Sequence, residues 1–286
     1  MLVRLRLSAQ MTFSHFSHNG KILPSEQSVV PLSRIEYTYG FGVYETIRVV
    51  AGIPFFLHDH LDRLRISAEA IELEHSFTPQ MLEKSVKELI EKTESKAFNL
   101  KMLLIGGATK KDAELFILCL NPLYPDRKLY KTGARCISYQ YERAFPQAKT
   151  LNMLQSYLAY REAKRAGAYD ALLINSKGCI TEGTRTNFFA MKGKKLFSPP
   201  AAEILLGVTR KAVLQVALAN GYSLEERAIP LRTVASYDGA FITSTSSKIV
   251  PIARINQAAL NPQDPHLQEL IKLFDQFLKT CNGKLD

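Results

Sequence analysis

The amino-acid sequence predicts an α/β (α+β) fold in two domains. Its 286 residues are 46% hydrophobic and 22% charged, which is enough for one large or two medium hydrophobic cores. Short runs rich in β-branched residues alternate with longer amphipathic segments at helical spacing. A turn with Pro146 separates two such series. We therefore place the interdomain connection at 141–146 and the domains at 1–140 and 147–286.

The first domain is predicted to be a compact α+β unit. Its expected elements are strands at 21–24, 43–50, 101–105 and 114–120, a helix at 59–72 and a helix beginning at Pro79. Alternation in the second strand puts Tyr44, Thr46 and Arg48 on one face. The opposite face, with Val43, Ile47 and Val49, is apolar. In the helix at 59–72, Arg63 lies off the apolar stripe, a position that is usually solvated.

The second domain is predicted to contain more strands and three helices. A strand expected at 135–141 leads into the interdomain connection. The expected strands of the second domain lie at 170–174, 179–182, 187–191 and 239–243, and its helices at 151–166, at 208–220 and from Pro265 onward. Gly167 and Gly221 supply the C-terminal stops of the first two helices. A polar run, 244–247, follows the last strand.

Bulk properties exclude several function classes. The net charge of +10 and pI near 9.4 come from basic residues interleaved with acids, as on solvated helix faces, so we expect no nucleic-acid partner. We find no signal peptide or membrane span and expect a cytoplasmic protein with reduced cysteines. Residues 1–10 resemble an extension from an alternative start.

Histidines give no metal site in this interpretation. His58 and His60 lack a third ligand at suitable spacing, so we interpret both as structural. His15 and His18 lie in a start that we expect to be mobile. We therefore predict no metal.

Two residues of the second domain suggest cofactor chemistry. Lys149 offers an amine that can condense with an aldehyde, and Glu182 offers a carboxylate that can pair with a basic ring nitrogen. These are the two anchors that a pyridoxal phosphate enzyme needs. For the phosphate, Gly207 before a helix and the polar run 244–247 are the candidate sites, and Arg63 would supply charge.

Six motifs carry a family resemblance. They are Tyr39-Gly40-Phe41-Gly42-Val43-Tyr44-Glu45-Thr46-Ile47-Arg48, His60-Leu61-Asp62-Arg63-Leu64, Lys149-Thr150-Leu151-Asn152, Thr181-Glu182-Gly183 with Asn187-Phe188, Leu205-Leu206-Gly207-Val208-Thr209-Arg210 and Thr243-Ser244-Thr245. In this order, over roughly residues 20–255, the chain resembles the class IV aminotransferase family. That family includes branched-chain aminotransferases, D-amino-acid aminotransferases and 4-amino-4-deoxychorismate lyases.

The resemblance implies a role for each matching residue. Lys149 would bind the pyridoxal phosphate aldehyde covalently and then move a proton at the substrate α-carbon, and Glu182 would pair with the ring nitrogen. The other implied cofactor-binding residues are Arg63, Leu205, Val208, Thr209, Ser244 and Thr245. On the substrate side we expect Tyr44 and Ser246, with Lys101 or Arg185 facing a carboxylate. The implied fold has the cofactor in the interdomain cleft of a homodimer.

Departures from the family pattern bear on the substrate. Family members commonly carry an aspartate where Phe41 stands, a small residue where Arg185 stands and a glutamate where Lys248 stands. D-amino-acid aminotransferases trap the carboxylate with an arginine and a histidine near the turn that follows the Lys101 strand, which here begins at Gly106. We therefore disfavour a D-specific enzyme.

The leading hypothesis is a ping-pong aminotransferase that moves an amino group between an amino acid, branched-chain or another L-amino acid, and a 2-oxo acid. Because the same lysine serves elimination, a 4-amino-4-deoxychorismate lyase that releases pyruvate is a second hypothesis. A D-amino-acid aminotransferase and a basic binding protein on the same fold are the third and fourth.

Overall fold

The computed structural model describes residues 13–122 and 124–284, which form two compact units. The first unit is Met1–Pro122 with Ala148–Asn152 and Asn282–Asp286, and the second is Leu123–Gln147 with Met153–Cys281. Helices and sheets occur in both, which confirms the predicted α/β (α+β) class. Residues 1–10, the expected extension, lie outside the described residues.

The unit boundaries differ from the predicted domains 1–140 and 147–286. The chain enters the second unit at Leu123, and the segment Ala148–Asn152 returns to the first. That return has a physical cause, because Leu151 N–H donates to Gly42 O at 2.9 Å and Val43 pairs with Thr150. The first unit is therefore discontinuous in sequence. It also includes Gly283, whose carbonyl accepts a hydrogen bond from Phe56 N–H.

The first unit is one antiparallel sheet covered by helices. Its elements are β1 (His15–His18), β2 (Lys21–Pro24), α1 (Ile35–Tyr39), β3 (Gly42–Val50), β4 (Ile53–Pro54), α2 (Leu57–Glu69), α3 (Pro79–Glu91), β5 (Ala97–Ile105) and β6 (Glu114–Leu120). The strand order is β2-β1-β6-β5-β3-β4. Apolar side chains of α2 and α3 pack on one sheet face with Val43, Ile47 and Val49. The prediction of a mobile start was wrong for His15–His18, since β1 pairs with both β2 and β6.

The second unit is built on a ten-stranded sheet. Its elements are α4 (Leu129–Thr132), β7 (Ala134–Gln140), α5 (Leu154–Arg165), β8 (Asp170–Ile174), β9 (Cys179–Gly183), β10 (Asn187–Lys192), β11 (Lys195–Ser198), α6 (Val208–Ala219), β12 (Ser223–Glu226), β13 (Ile229–Pro230), β14 (Gly239–Ser244), β15 (Lys248–Ile255), β16 (Ala258–Ala259) and α7 (Pro265–Thr280). The strand order is β12-β11-β10-β14-β15-β7-β8-β9-β13. Glu182 of β9 also pairs with Asn187 of β10, which closes the six strands from β10 to β9 into a ring.

Three further features bear on the predictions. The helix predicted from 151 begins at Leu154, because Leu151 is bonded to β3 in the first unit. Within 13–122 and 124–284, no helix is both long and apolar enough to cross a membrane. The four cysteines are unpaired thiols, and three of them are buried.

Candidate active site

Lys149 is held in the first unit by its backbone. Its carbonyl accepts a hydrogen bond from Tyr44 N–H at 2.9 Å, which ties it to β3. Its own N–H donates to Ser67 Oγ of α2 at 3.0 Å. The segment thus lies beside the strand and the helix without needing its side chain for support. These bonds do not use the Lys149 side chain.

Tyr44 brings two predicted site lysines together. Lys149 Nζ lies 4.4 Å from the centre of the Tyr44 ring, and Lys101 Nζ lies 3.7 Å from it. Tyr44 is only 6% exposed, so both amines meet a buried aromatic face. This is the placement that cation–π attraction favours. The structure therefore collects Tyr44, Lys101 and Lys149 at one place.

Arg63 is buried, contrary to the expectation of a solvated arginine, and is paired with Glu45 of β3. Its Nε donates to Glu45 Oε1 at 2.7 Å and its Nη2 to Oε2 at 2.8 Å. His60 Nδ1 lies 2.7 Å from the same carboxylate, which is completely buried. A carboxylate gripped by two nitrogens of one guanidinium fixes the plane of that guanidinium. Glu45 thereby sets the orientation of Arg63.

Burial and charge act on this cluster in opposite directions. Burial would raise the pKa of Glu45, but the charge of Arg63, with the bonds from Arg63 and His60, outweighs it and holds that pKa well below its usual range. Burial lowers the pKa of His60, and Glu45 opposes this only in part. Near neutral pH the cluster is therefore an ion pair with a neutral imidazole.

Sequence reasoning missed Glu45 and Ser67 and gave His60 only a structural role. A usable signal was present in β3, where Glu45 lies on the same face as Val43 and Ile47. A carboxylate on an apolar strand face needs a cationic partner from whatever covers it. On α2, His60, Arg63 and Ser67 follow the i, i+3, i+7 spacing of one helix face.

In the second unit, the Glu182 carboxylate lies near the C-terminal end of β9. It is 5% exposed, and Arg143 Nη1 donates to its Oε1 at 2.9 Å. Arg143 also donates to Pro146 O, so the loop at 141–146 orients it. Sequence reasoning missed Arg143, and no pattern around it marks an arginine that is partly buried against a carboxylate. Leu205 N–H lies 3.3 Å from Glu182 Oε2.

The segment from Leu205 to Gly207 contacts Glu182 through the Leu205 N–H group and leads into α6. Asn187 Nδ2 donates to Leu205 O at 2.7 Å. A Cβ at Gly207 would overlap Asn187 Oδ1, so only glycine fits this close approach. No side chain caps α6, whose first residues, Val208 and Thr209, are buried. The positive end of the helix dipole and the first amides are thus presented at this point.

The polar run after β14 folds as a tight turn. Ser244 Oγ lies 2.6 Å from Ser247 Oγ, and Ser247 N–H donates to Ser244 Oγ. Tyr130 OH donates to Ser247 O at 3.0 Å, which fixes the turn from α4. Thr245 and Ser246, at the centre of the turn, are half-buried. Lys248 follows with a positive φ of 59° and pairs with Asp275 of α7 at 2.5 Å.

Arg185 is a predicted substrate residue that lies in a turn of the second unit. It is exposed in the turn between β9 and β10, with its guanidinium 4.5 Å from the Tyr160 ring centre. The turn is fixed by buried Asp170, which accepts hydrogen bonds from Thr184 Oγ1 at 2.5 Å and Thr186 Oγ1 at 2.9 Å. Burial raises the pKa of Asp170, although these two bonds act against the rise.

The chain contains the kinds of donor group that pyridoxal phosphate needs. An amine, a carboxylate and a buried guanidinium match its aldehyde, ring nitrogen and phosphate. The uncapped start of α6 behind Gly207 suits an anion. Buried Thr243 Oγ1 has no hydrogen-bond partner in the described part of the chain, as expected of a group that serves a ligand. Within those residues, no three His, Cys, Asp or Glu side chains are placed to hold a metal ion.

Comparison with known proteins agrees with the resemblance. A D-alanine aminotransferase of Bacillus licheniformis is 28% identical over 256 residues, covering 86% of this chain and 90% of the relative. The aminodeoxychorismate lyase of Bacillus subtilis is 24% identical over 89% of this chain and 91% of its own. The crystal structure of the branched-chain aminotransferase from Thermoproteus uzoniensis with norvaline superposes with a TM-score of 0.84 at 26% identity over 96% of both chains.

The family model described as "Amino-transferase class IV" matches residues 42–255, most of the chain. The matched span contains Lys149, Arg63 and Glu182, the three groups assigned above to the aldehyde, phosphate and ring nitrogen. The protein is therefore an enzyme of the class IV aminotransferase family.

Proposed function

We propose that this enzyme transfers an amino group from an amino acid to a 2-oxo acid by a ping-pong mechanism. In such a mechanism the first product leaves before the second substrate binds. The observation that carries the proposal is the grouping of Lys149 and Lys101 on the Tyr44 ring. One amine there can move a proton, while the other can meet a substrate carboxylate.

The class IV aminotransferases use pyridoxal phosphate, and we propose which residues of this chain bind it. Lys149 Nζ would attach to the aldehyde, Glu182 would face the ring nitrogen and Leu205 would pack on the ring. The phosphate-binding residues would be Arg63, Val208, Thr209, Ser244 and Thr245. When bound, the cofactor supplies an electron-withdrawing ring that makes the bonds at the substrate α-carbon easier to break.

Each protein group then has a defined task. Once the substrate amine has displaced it from the aldehyde, Lys149 Nζ would take the proton from the α-carbon of the amino donor. In the second half of the reaction it would deliver a proton to the α-carbon derived from the 2-oxo acid, as a general acid and base. Tyr44 limits the movement of the amine by packing against it. The Arg143 guanidinium orients the Glu182 carboxylate, so that one carboxylate oxygen points in a fixed direction. Glu45 binds Arg63 and is itself bonded to His60.

We propose branched-chain or other L-amino acids as donors and 2-oxo acids such as 2-oxoglutarate as acceptors. The likeness to the Thermoproteus uzoniensis branched-chain aminotransferase, whose structure holds norvaline, supports this choice. The D-alanine aminotransferase relative favours a second candidate, a D-amino-acid aminotransferase. The Bacillus subtilis relative favours a third, a lyase that releases pyruvate from 4-amino-4-deoxychorismate.

A donor panel separates these candidates. The holoenzyme is incubated with matched L- and D-amino acids in the presence and absence of 2-oxoglutarate, and the products are resolved by chromatography. We expect 2-oxo acids from L-leucine, L-valine and L-isoleucine only when 2-oxoglutarate is present, with equal amounts of glutamate formed. Turnover confined to D-amino acids would contradict the stereochemistry. Pyruvate release from 4-amino-4-deoxychorismate without an acceptor would identify a lyase.

Substitution of Lys101 is expected to weaken recognition of dicarboxylic substrates. Because Lys101 is half-buried beside Tyr44, Lys101→Met should raise the KM for 2-oxoglutarate by about tenfold, while kcat changes little. Lys101→Arg should restore most of the affinity. Arg185 is the other proposed carboxylate contact, but it is exposed, so Arg185→Met should change KM only about twofold. If Arg185→Met raised the KM more than Lys101→Met does, Arg185 rather than Lys101 would be the residue that contacts the carboxylate.

We also propose that Ser246, in the turn after β14, makes a polar contact with the substrate.

We also propose that the enzyme is a cytoplasmic homodimer. Its unpaired cysteines suit a reducing compartment. On α5, Leu154, Tyr157 and Leu158 are 64%, 57% and 37% exposed, at the i, i+3, i+4 spacing of one apolar face. A second copy would cover this face. Light scattering that gave the mass of one 32.1 kDa chain would contradict the dimer.

A further inference from the structure

Three adjacent strands place Glu182, Asn187 and Thr243 in one row. Glu182 of β9 pairs directly with Asn187 of β10, and Asn187 pairs directly with Thr243 of β14. Directly opposed residues of antiparallel strands carry their side chains on the same face of the sheet. Thr243 therefore lies on the sheet face that carries Glu182, two strands away from it.

The first two members of this row have protein partners, but the third does not. Glu182 is bonded to Arg143, and Asn187 Nδ2 to Leu205 O. Thr243 is 1% exposed, and its Oγ1 has no hydrogen-bond partner among residues 13–122 and 124–284. A hydroxyl removed from water without a partner destabilises a fold, so such groups are rare and usually have a function.

The surroundings of Thr243 indicate which ligand group it serves. Thr243 directly precedes the turn of Ser244 and Thr245. Its neighbour in the row, Asn187, supports Leu205 and contacts Gly207, the residue that opens α6. The hydroxyl is thus set between the two backbone segments to which we assign the phosphate. A hydroxyl can donate to a phosphate oxygen, and bonds to charged acceptors are the stronger kind.

We propose that Thr243 Oγ1 donates a hydrogen bond to the phosphate of pyridoxal phosphate. This inference rests on the proposed function, in which pyridoxal phosphate is the cofactor. It adds a residue inside a strand to the binding groups of the turn and of α6. The bond also gives the buried hydroxyl a function at a position where valine would fill the same space without a polar atom.

Thr243→Val tests the proposal because it removes only the hydroxyl. The apoprotein is titrated with pyridoxal phosphate and, separately, with pyridoxal, which lacks the phosphate. We expect the variant to bind pyridoxal phosphate about tenfold more weakly and pyridoxal as well as the wild type does. The melting temperature of the variant apoprotein should be equal or higher, because no partner is lost there.

Ser17→Ala is the matched control. Ser17 Oγ is also buried without a partner in the described residues, but it lies in β1 of the first unit. Its removal should leave the affinity for both ligands unchanged. Thr243→Ser, which keeps the hydroxyl, should retain the affinity for pyridoxal phosphate. If Thr243→Val does not fold, Thr243→Ala compared with Thr243→Ser provides the same contrast.

The outcomes separate this inference from the proposed function. Equal binding of pyridoxal phosphate by Thr243→Val and wild type would overturn the Thr243 assignment alone. Equal weakening toward both ligands would show that the hydroxyl does not serve the phosphate and would also overturn it. A wild-type protein that binds no pyridoxal phosphate would instead overturn the proposed function.

Discussion

Lys149→Ala is expected to lower turnover by roughly 10³–10⁴-fold, because it removes the group to which we assign proton transfer at the substrate α-carbon. The visible absorbance of the covalently bound cofactor should disappear with it. The fold should persist, since the bonds to Tyr44 and Ser67 come from the Lys149 backbone. Single-turnover kinetics, absorbance and circular dichroism measure these three effects.

Two other lysines make the Lys149 test specific. Lys177 is exposed in a turn, and Lys177→Ala should behave as the wild type. Lys101 lies even closer to the Tyr44 ring than Lys149 does, so it is the obvious rival for the covalent bond. Lys101→Met should keep the visible absorbance. If the absorbance disappeared in Lys101→Met and persisted in Lys149→Ala, the covalent bond to the cofactor would have to be assigned to Lys101 instead of Lys149.

Glu45→Gln is expected to reduce the free energy of unfolding at pH 7 by about 3 kcal/mol, because Arg63 would remain as a buried charge without its counter-ion. The affinity for pyridoxal phosphate should fall as well, since Glu45 sets the orientation of the Arg63 guanidinium. Urea unfolding followed by circular dichroism gives the first quantity and absorbance titration the second.

A pair on the surface of the same helix provides the control. Arg65 and Glu69 of α2 form an ion pair whose side chains are both more than half exposed. Glu69→Gln should therefore cost well under about 1 kcal/mol. If Glu45→Gln cost no more than Glu69→Gln, the buried pair would not have the role assigned to it.

The effect of Glu45→Gln on the free energy of unfolding should change with pH in a defined direction. The pKa of Glu45 is lower in the folded protein than its ordinary value, so its stabilisation is present above the unfolded pKa and is lost as the pH falls. The stability difference between wild type and Glu45→Gln should thus shrink below about pH 4. His60, with its lowered pKa, also makes the fold less stable in acid.

Elements with strong local signals were predictable from sequence. The helix predicted from Pro79 begins there, with Thr78 Oγ1 accepting from Met81 N–H, and the helix predicted at 208–220 is Val208–Ala219. β15 was missed because it contains Pro251 and begins at Lys248 with a positive φ. One of its two partners, β14, is the preceding strand, but the other, β7, is far away in the sequence and lies outside any local window.

The site was predictable where a family motif or a local pattern marked it. Lys149 and Tyr44 were placed near each other by the resemblance, and the structure places them in contact. The groups that orient them, such as Glu45 and Arg143, were missed because their importance depends on burial. An arginine in a polar loop gives no sign in the sequence that it will turn inward to a carboxylate. The functional roles themselves remain predictions.

The discontinuous first unit has a consequence for synthesis on the ribosome. Tyr44 and Ser67 emerge early, but their partner Lys149 emerges only after the start of the second unit has been made. Gly283, whose carbonyl binds Phe56, comes last of all. The first unit therefore cannot be complete until residues 282–284 have been made, although the groups around Lys149 are made much earlier. A gene divided at the interdomain turn would also yield one polypeptide without the lysine and another whose lysine has no strand beside it.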